Sequence, residues 1–148
     1  MSWNVYLAGE IHSDWRDQII DGSAKAKLPV TFSSAVTDHG ASDNCGQDIL
    51  GPESDGFWKD HKSAKINAIR TRKLIGQADV VVARFGGQYR QWNAAFDAGC
   101  AAALGKPLIT FHDADLQHAL KEVDAAALAV ASTAEQVVGI LNYVINQK

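Results

Sequence analysis

"ADVVVARFGGQYRQWNAAFDAGCAAALGKPLITFH", residues 78–112, changes hydrophobic period twice within 35 residues. Residues 78–85 are a near-continuous apolar run rich in β-branched side chains, the pattern of a strand covered on both faces. Residues 91–105, "QWNAAFDAGCAAALG", read as a helix ended by Gly105, a good residue for the position after a helix, just before Lys106-Pro107. Residues 106–112, "KPLITFH", form a second β-branched run. Strand, helix, strand in that order predicts a parallel pair joined by a helical crossover.

The same alternation continues to both ends of the chain. "WNVYLAG" (3–9) is a third strand of the same type, and "PVTFSS" (29–34) and "ALAVA" (127–131) are two weaker ones. Helical patterns lie between them. "SDWRDQIIDGSAKAK" (13–27) opens with Ser13 or Asp14 as N-cap and puts Trp15, Ile19 and Ile20 on one face. "FWKDHKSAKINAIRTRKLIGQ" (57–77) spaces Trp58, Ile66, Ile69 and Leu74 near a helical period, and "STAEQVVGILNYVINQ" (132–147) starts with a capping box and carries an apolar stripe. The expected fold is α/β: a three-layer, flavodoxin-like (Rossmann-like) five-stranded parallel sheet in the order 2-1-3-4-5, with helices on both faces. In such sheets the ligand crevice lies beyond the carboxyl ends of the strands, at the switch between strands 1 and 3.

A length of 148 residues suits one domain over 1–148, and 47% hydrophobic with 21% charged residues argues against extensive disorder. Fourteen Lys and Arg against 17 Asp and Glu give a net charge of −3, so no global basic field points to nucleic acid. The local basic group "KDHKSAKINAIRTRK" reads as a solvated helix face, with a local anion site as the alternative. Cys45 and Cys100 form no metal-like pair, the N-terminus has no signal pattern, and no segment approaches the roughly 18 apolar residues of a membrane span. A reduced, cytoplasmic setting without a membrane partner is expected. Residues 35–57 are polar and contain glycines, so they read as a long loop that covers substrate or contacts a second subunit. Their His39, Asp43, Cys45 and Asp48 are too irregularly spaced to predict a metal site.

Two crevice segments carry candidate chemistry. After strand 1, Gly9, Glu10, His12, Ser13 and Arg16 sit at the start of a helix, where free N–H groups and the helix dipole favour an anion. The alternative is structural: Ser13 caps the helix while Glu10, His12 and Arg16 face water. Neither a dinucleotide fingerprint nor a P-loop is present. After strand 3, Gly86 and Gly87 allow close backbone approach, Tyr89 and Trp92 offer flat faces to a base or sugar, and Asn93 can donate and accept hydrogen bonds. Asp97 lies one helical turn beyond Asn93. Its neighbours Phe96, Ala98, Gly99 and Cys100 predict a helix packed on most sides, where a carboxylate has a raised pKa and is suited to function.

The frame "VYLAG" (5–9), "INAIRTRKLIGQADVVVARF" (66–85) and "NAAFDAGCAAALGKPLITF" (93–111) resembles the nucleoside 2-deoxyribosyltransferase-like superfamily, and within it the YtoQ family. The resemblance implies an enzyme that cleaves or transfers an N-glycosidic bond of a nucleoside, nucleotide or related ribosyl compound, without a cofactor. It implies Asp97 as nucleophile, in a frame where relatives usually carry glutamate, and Tyr6 as the tyrosine that orients it. It implies that the loop after strand 1 meets the sugar or its 5′ phosphate, and that the protein is a homodimer or higher homo-oligomer. Relatives also carry an aspartate on the preceding helix that assists the leaving base. Here that region reads "NAIRTRKLIG", with Thr71 near the position and no acid, leaving Asn67, Arg70 or Asp43 as substitutes. The competing expectation is a nucleotide or nucleotide-sugar binding protein that kept the crevice and lost the reaction.

Overall fold

The computed structural model describes residues 1–88 and 91–147. Five strands, β1 (Trp3–Ala8), β2 (Val30–Ser34), β3 (Val80–Phe85), β4 (Leu108–His112) and β5 (Ala129–Ala131), pair in parallel in the order β2-β1-β3-β4-β5. This is the expected order, and all five strands fall within the segments chosen for their β-branched runs. The helices are α1 (Trp15–Lys25), α2 (His39–Leu50), α3 (His61–Gln77), α4 (Trp92–Ala103), α5 (Lys121–Ala126) and α6 (Ala134–Asn146).

Because strand side chains alternate between faces, β1 divides its residues between two cores. Val5 and Leu7 join Val80, Val82, Ile109 and Phe111 against Trp15 and Ile19 of α1 and Val137 and Leu141 of α6. Tyr6 and Ala8 face the other way, with Val81, Ala83 and Phe85, against Ile75 of α3 and Ala94, Ala98 and Ala101 of α4. The α6 capping box forms as read: Thr133 accepts from the Gln136 N–H at 3.2 Å, and Gln136 accepts from the Ser132 N–H at 2.7 Å. At the far edge Thr110 and the buried His112 both hold the Asp124 carboxylate, at 2.8 and 3.0 Å, tying α5 to β4.

Two expectations are corrected. Residues 35–57 are not a loop throughout, since α2 occupies 39–50. Its composition is poor for a helix and it has no apolar stripe, so other forces hold it. Asp38 caps it by accepting from the Ala41 N–H at 2.8 Å. Its glycine then permits a backbone crossing with α3: a Cβ on Gly46 would lie 2.2 Å from the Ser63 nitrogen. Ser63, 3% exposed, accepts from the Gly46 N–H at 2.9 Å and donates to the Asp43 carbonyl at 2.6 Å. Lys62 Nζ closes the other end by donating to the carbonyls of Leu50, Gly51 and Pro52 at 2.9 to 3.3 Å. The second correction concerns α4, which is not packed on most sides. It buries only the stripe Ala94, Ala98 and Ala101, while Trp92 and Phe96 are 72% and 69% exposed. Small side chains at that spacing bring the helix axis close to the sheet, which leaves the opposite face in solvent.

Candidate functional site

β1 ends at Ala8, and Gly9 follows with φ +150, in the region L side chains avoid. A Cβ there would also meet Trp15 Cζ2 at 2.8 Å and the Arg84 carbonyl at 3.0 Å. The chain can therefore leave the sheet close to the end of β3 and turn over it.

The turn is filled by its own side chains. The Glu10 carboxylate accepts from the N–H groups of His12 and Ser13 at 2.5 and 3.0 Å and from the Ser13 hydroxyl. Burial raises the Glu10 pKa, but these hydrogen bonds outweigh it and hold the carboxyl below its ordinary value. The anion expected at the start of α1 is thus supplied by the chain itself. Asp14, the residue before α1, makes no side-chain cap. Arg16 is 7% exposed and donates to the carbonyls of Glu10, Gly9 and Leu7 at 2.5, 2.9 and 3.3 Å, so its guanidinium fastens this turn from beneath. Ser13 and Arg16 therefore serve the loop and do not line the cleft described next.

A cleft of about 440 Å³ opens over the carboxyl ends of β1 and β2, at the predicted switch point. Gly9, Glu10 and His12 line it from the turn after β1, His39 and Asp43 from α2, and Trp92, Asn93 and Asp97 from α4. Asn93 and Asp97, one turn apart, share its wall as expected. Gln91 joins the two sides, accepting from the Glu10 N–H at 3.2 Å. Gly86 and Gly87 lie elsewhere: they border a second, largely apolar hollow of about 450 Å³ against Leu116, Leu120 and Val123, which Trp92 also reaches. Neither glycine has positive φ or a crowded Cβ position. Tyr89, the other aromatic expected to stack on a ligand, lies outside the described residues.

Asp97 is half-buried, and no described residue offers its carboxylate a hydrogen bond or a salt bridge. Burial alone pushes its pKa from 3.8 up to about 6. Beneath it, Tyr6 is wholly buried, and its hydroxyl has no hydrogen-bond partner of ordinary geometry. Burial raises the phenol to about 12, the Asp97 charge adds to the rise, and the neighbouring Thr71 hydroxyl opposes it. Tyr6 is therefore a neutral phenol within electrostatic reach of a carboxylate to which no described residue donates. Such a pair suits nucleophilic attack, because the carboxylate is only weakly solvated and the donor can steady its unreactive oxygen.

The structure separates the three substitutes considered for the absent helix acid. Asn67 donates to the Ser42 carbonyl at 3.0 Å and Arg70 to the Ser34 carbonyl at 2.6 Å, so both tie α3 to the β2 and α2 region. Asp43 lines the cleft instead, with its Oδ2 3.4 Å from His39 Nε2. In the sequence His39 stands out only as one of four irregularly spaced residues that could ligate a metal. Its signal was the Asp38 cap position just before it, which starts a helix and turns the first residues of α2 toward the crevice. The described residues contain no group of three or more His, Cys, Asp and Glu side chains placed to hold a metal. No helix among them is long and apolar enough to cross a membrane.

Residues 6–145 match the family described as "Nucleoside 2-deoxyribosyltransferase YtoQ". The chain belongs to this family. It is 44% identical over 143 residues to "Uncharacterized protein YtoQ" of Bacillus subtilis (strain 168), covering 97% of each chain. Among solved structures the YtoQ fold here is similar to a CMP N-glycosidase, BcmB, of Clostridium botulinum, with TM-score 0.54, 13% identity and coverage of 95% of this chain and 98% of that one. It is also similar to a 2-deoxyribosyltransferase of Bacillus psychrosaccharolyticus, with TM-score 0.52, 18% identity and coverage of 93% and 95%. At such identities these two likenesses concern the fold.

Proposed function

We propose that this member of the family breaks or transfers the N-glycosidic bond of a nucleoside, nucleotide or related ribosyl compound, with Asp97 as nucleophile. The observation that carries the reading is the Asp97 carboxylate. It is half-buried, without a hydrogen-bond or salt-bridge partner among the described residues, raised to about 6, and set on the wall of a 440 Å³ cleft near the buried Tyr6 hydroxyl. Membership of a family described as nucleoside 2-deoxyribosyltransferase supports it, as do fold neighbours described as a deoxyribosyltransferase and a CMP N-glycosidase.

In this reading Asp97 attacks the anomeric carbon as the bond to the base breaks, forming a glycosyl ester that water or a second base resolves. Tyr6 donates to the carboxylate oxygen that does not attack. Asn93, beside Asp97, holds a sugar hydroxyl, and Trp92 stacks on an apolar face of the ligand. The exposed apolar side chains Phe57, Trp58, Ile69 and Phe96, at or near α3 and α4, support a homo-oligomer. The test is release of free base from a panel of ribo- and 2′-deoxyribonucleosides and their 5′-phosphates, followed by chromatography. Release that depends on Asp97 is expected; undiminished release by Asp97→Ala would remove the assignment.

A second reading, a nucleotide or nucleotide-sugar binding protein without turnover, is favoured by one observation: Thr71, beside Tyr6, stands where the resemblance implies an acid. Its signature is a rise in Tm with a ligand of the panel and no release of base.

A further inference from the structure

The leaving base needs a proton, and α3 offers no acid for it. The geometry points to His39 as the general acid and base of this site, positioned by Asp43, on the wall of the cleft opposite Asp97. The inference rests on the glycosidic reading above and names residues that the reading left unassigned.

Three observations carry it. First, the parallel order β2-β1-β3 sets the segment after β2 and the segment after β3 on either side of the crevice over β1, so α2 and α4 form facing walls. His39 and Asp43 lie on one wall and Asp97 on the other. Second, His39 and Asp43 are four residues apart on α2 and meet through Nε2 and Oδ2 at 3.4 Å. A carboxylate beside one ring nitrogen orients the ring and leaves the other nitrogen to face the ligand. No described residue hydrogen-bonds His39 Nδ1. Third, the wall is held in place: Asp38 caps the helix one residue before His39, and Ser63 anchors the Asp43 carbonyl from α3. The ring of His12 lies 5.8 Å from that of His39, and Glu10 lines the same cleft, so these two are the further titratable groups there.

The step balances as follows. The C1′–N bond breaks and its electron pair passes to the base nitrogen, which takes the proton from His39 Nδ1. At the same time a bond forms between Asp97 and C1′. Water then enters, His39 Nδ1 takes one of its protons, the oxygen bonds to C1′, and the ester bond to Asp97 breaks to restore the carboxylate.

The test varies the leaving group. Guanine leaves guanosine or 2′-deoxyguanosine only with protonation, whereas N7-methylation puts a positive charge on the ring that the departing electron pair neutralises. The proposal expects His39→Gln to lose about 100-fold or more of turnover on the unmethylated nucleosides but only a few-fold on the N7-methylated ones. Asp43→Asn shows the same selectivity between leaving groups with a smaller loss. Asp97→Ala loses both substrates. Thermal melting of each variant separates this pattern from unfolding, which would lower both activities together. Equal losses on the two leaving groups, or no loss, would overturn the role of His39 while leaving Asp97 in place. If the unaltered protein releases base from no member of the wider nucleoside and 5′-phosphate panel, the glycosidic reading falls and this inference falls with it.

Discussion

The two walls of the cleft are built by opposite means. The α4 wall lies directly on the sheet, where its alanine stripe meets β1 and β3 side chains, and its functional group is tuned by what surrounds it: burial alone displaces Asp97. The α2 wall lies one layer further out, packed on α3. It is held by a cap, a serine and a lysine, and its candidate pair His39 and Asp43 is well exposed. The lesson is that a carboxylate placed for attack can be perturbed by depth, whereas a side chain at the rim depends on its neighbours for position.

Each wall can be broken separately. The largest effect is expected from Asp97→Ala, which should lower turnover at least about 10³-fold with the fold intact, as steady-state kinetics and far-UV circular dichroism would show. Asp97→Asn should reveal the energetic cost of the α4 wall. Since the folded chain raises this carboxyl from 3.8 to about 6, the neutral acid is the form the fold favours. That stabilisation is complete below the unfolded value and lost as pH rises through about 6. The asparagine variant should therefore gain up to about 3 kcal/mol over the unaltered protein above pH 6, fading to nothing below about 3.8, in urea unfolding midpoints. On the N7-methylated substrates, which need no proton from His39, the same titration makes turnover rise with pH through about 6; a rate that falls across that interval would contradict an ionised nucleophile.

On the α2 wall, Gly46→Ala should cost about 1–3 kcal/mol, despite the better helix propensity of alanine, because the added methyl meets the α3 backbone. The denaturation midpoint would record it. The smallest effect belongs to Asp38→Ala, about 1 kcal/mol from loss of the cap. If removing the cap leaves hydrogen exchange at the start of α2 unchanged, the cap is not what secures that wall.

The same contrast explains what the sequence disclosed. β1, β3 and β4 were legible because strands buried on both faces must be continuously apolar, and "VVVARF" and "LITFH" have few other readings. Asp97 stood out because a lone acid in an alanine helix has few bland explanations. "HGASDNCGQDIL" was illegible as a helix because glycine, serine, asparagine and aspartate favour turns, and Ile49 and Leu50 point to solvent, not to a core. What makes it helical is a crossing with residues 17 positions or more away, and no local pattern records such a contact. Arg16 misled for a related reason: an arginine beside a helix start looks like an anion receptor, and only the folded turn shows three carbonyls already in its reach.

Ser63 also limits how this molecule can diverge. Its hydroxyl accepts a hydrogen bond from the Gly46 N–H and donates one to the Asp43 carbonyl, at a place where the partner helix has no side chain. Alanine at 63 would remove both of these contacts between the helices, and any side chain at 46 would need the serine's whole neighbourhood to move. Positions 46 and 63 are therefore free to vary only together, and drift at either one would reach the cleft as a displaced histidine.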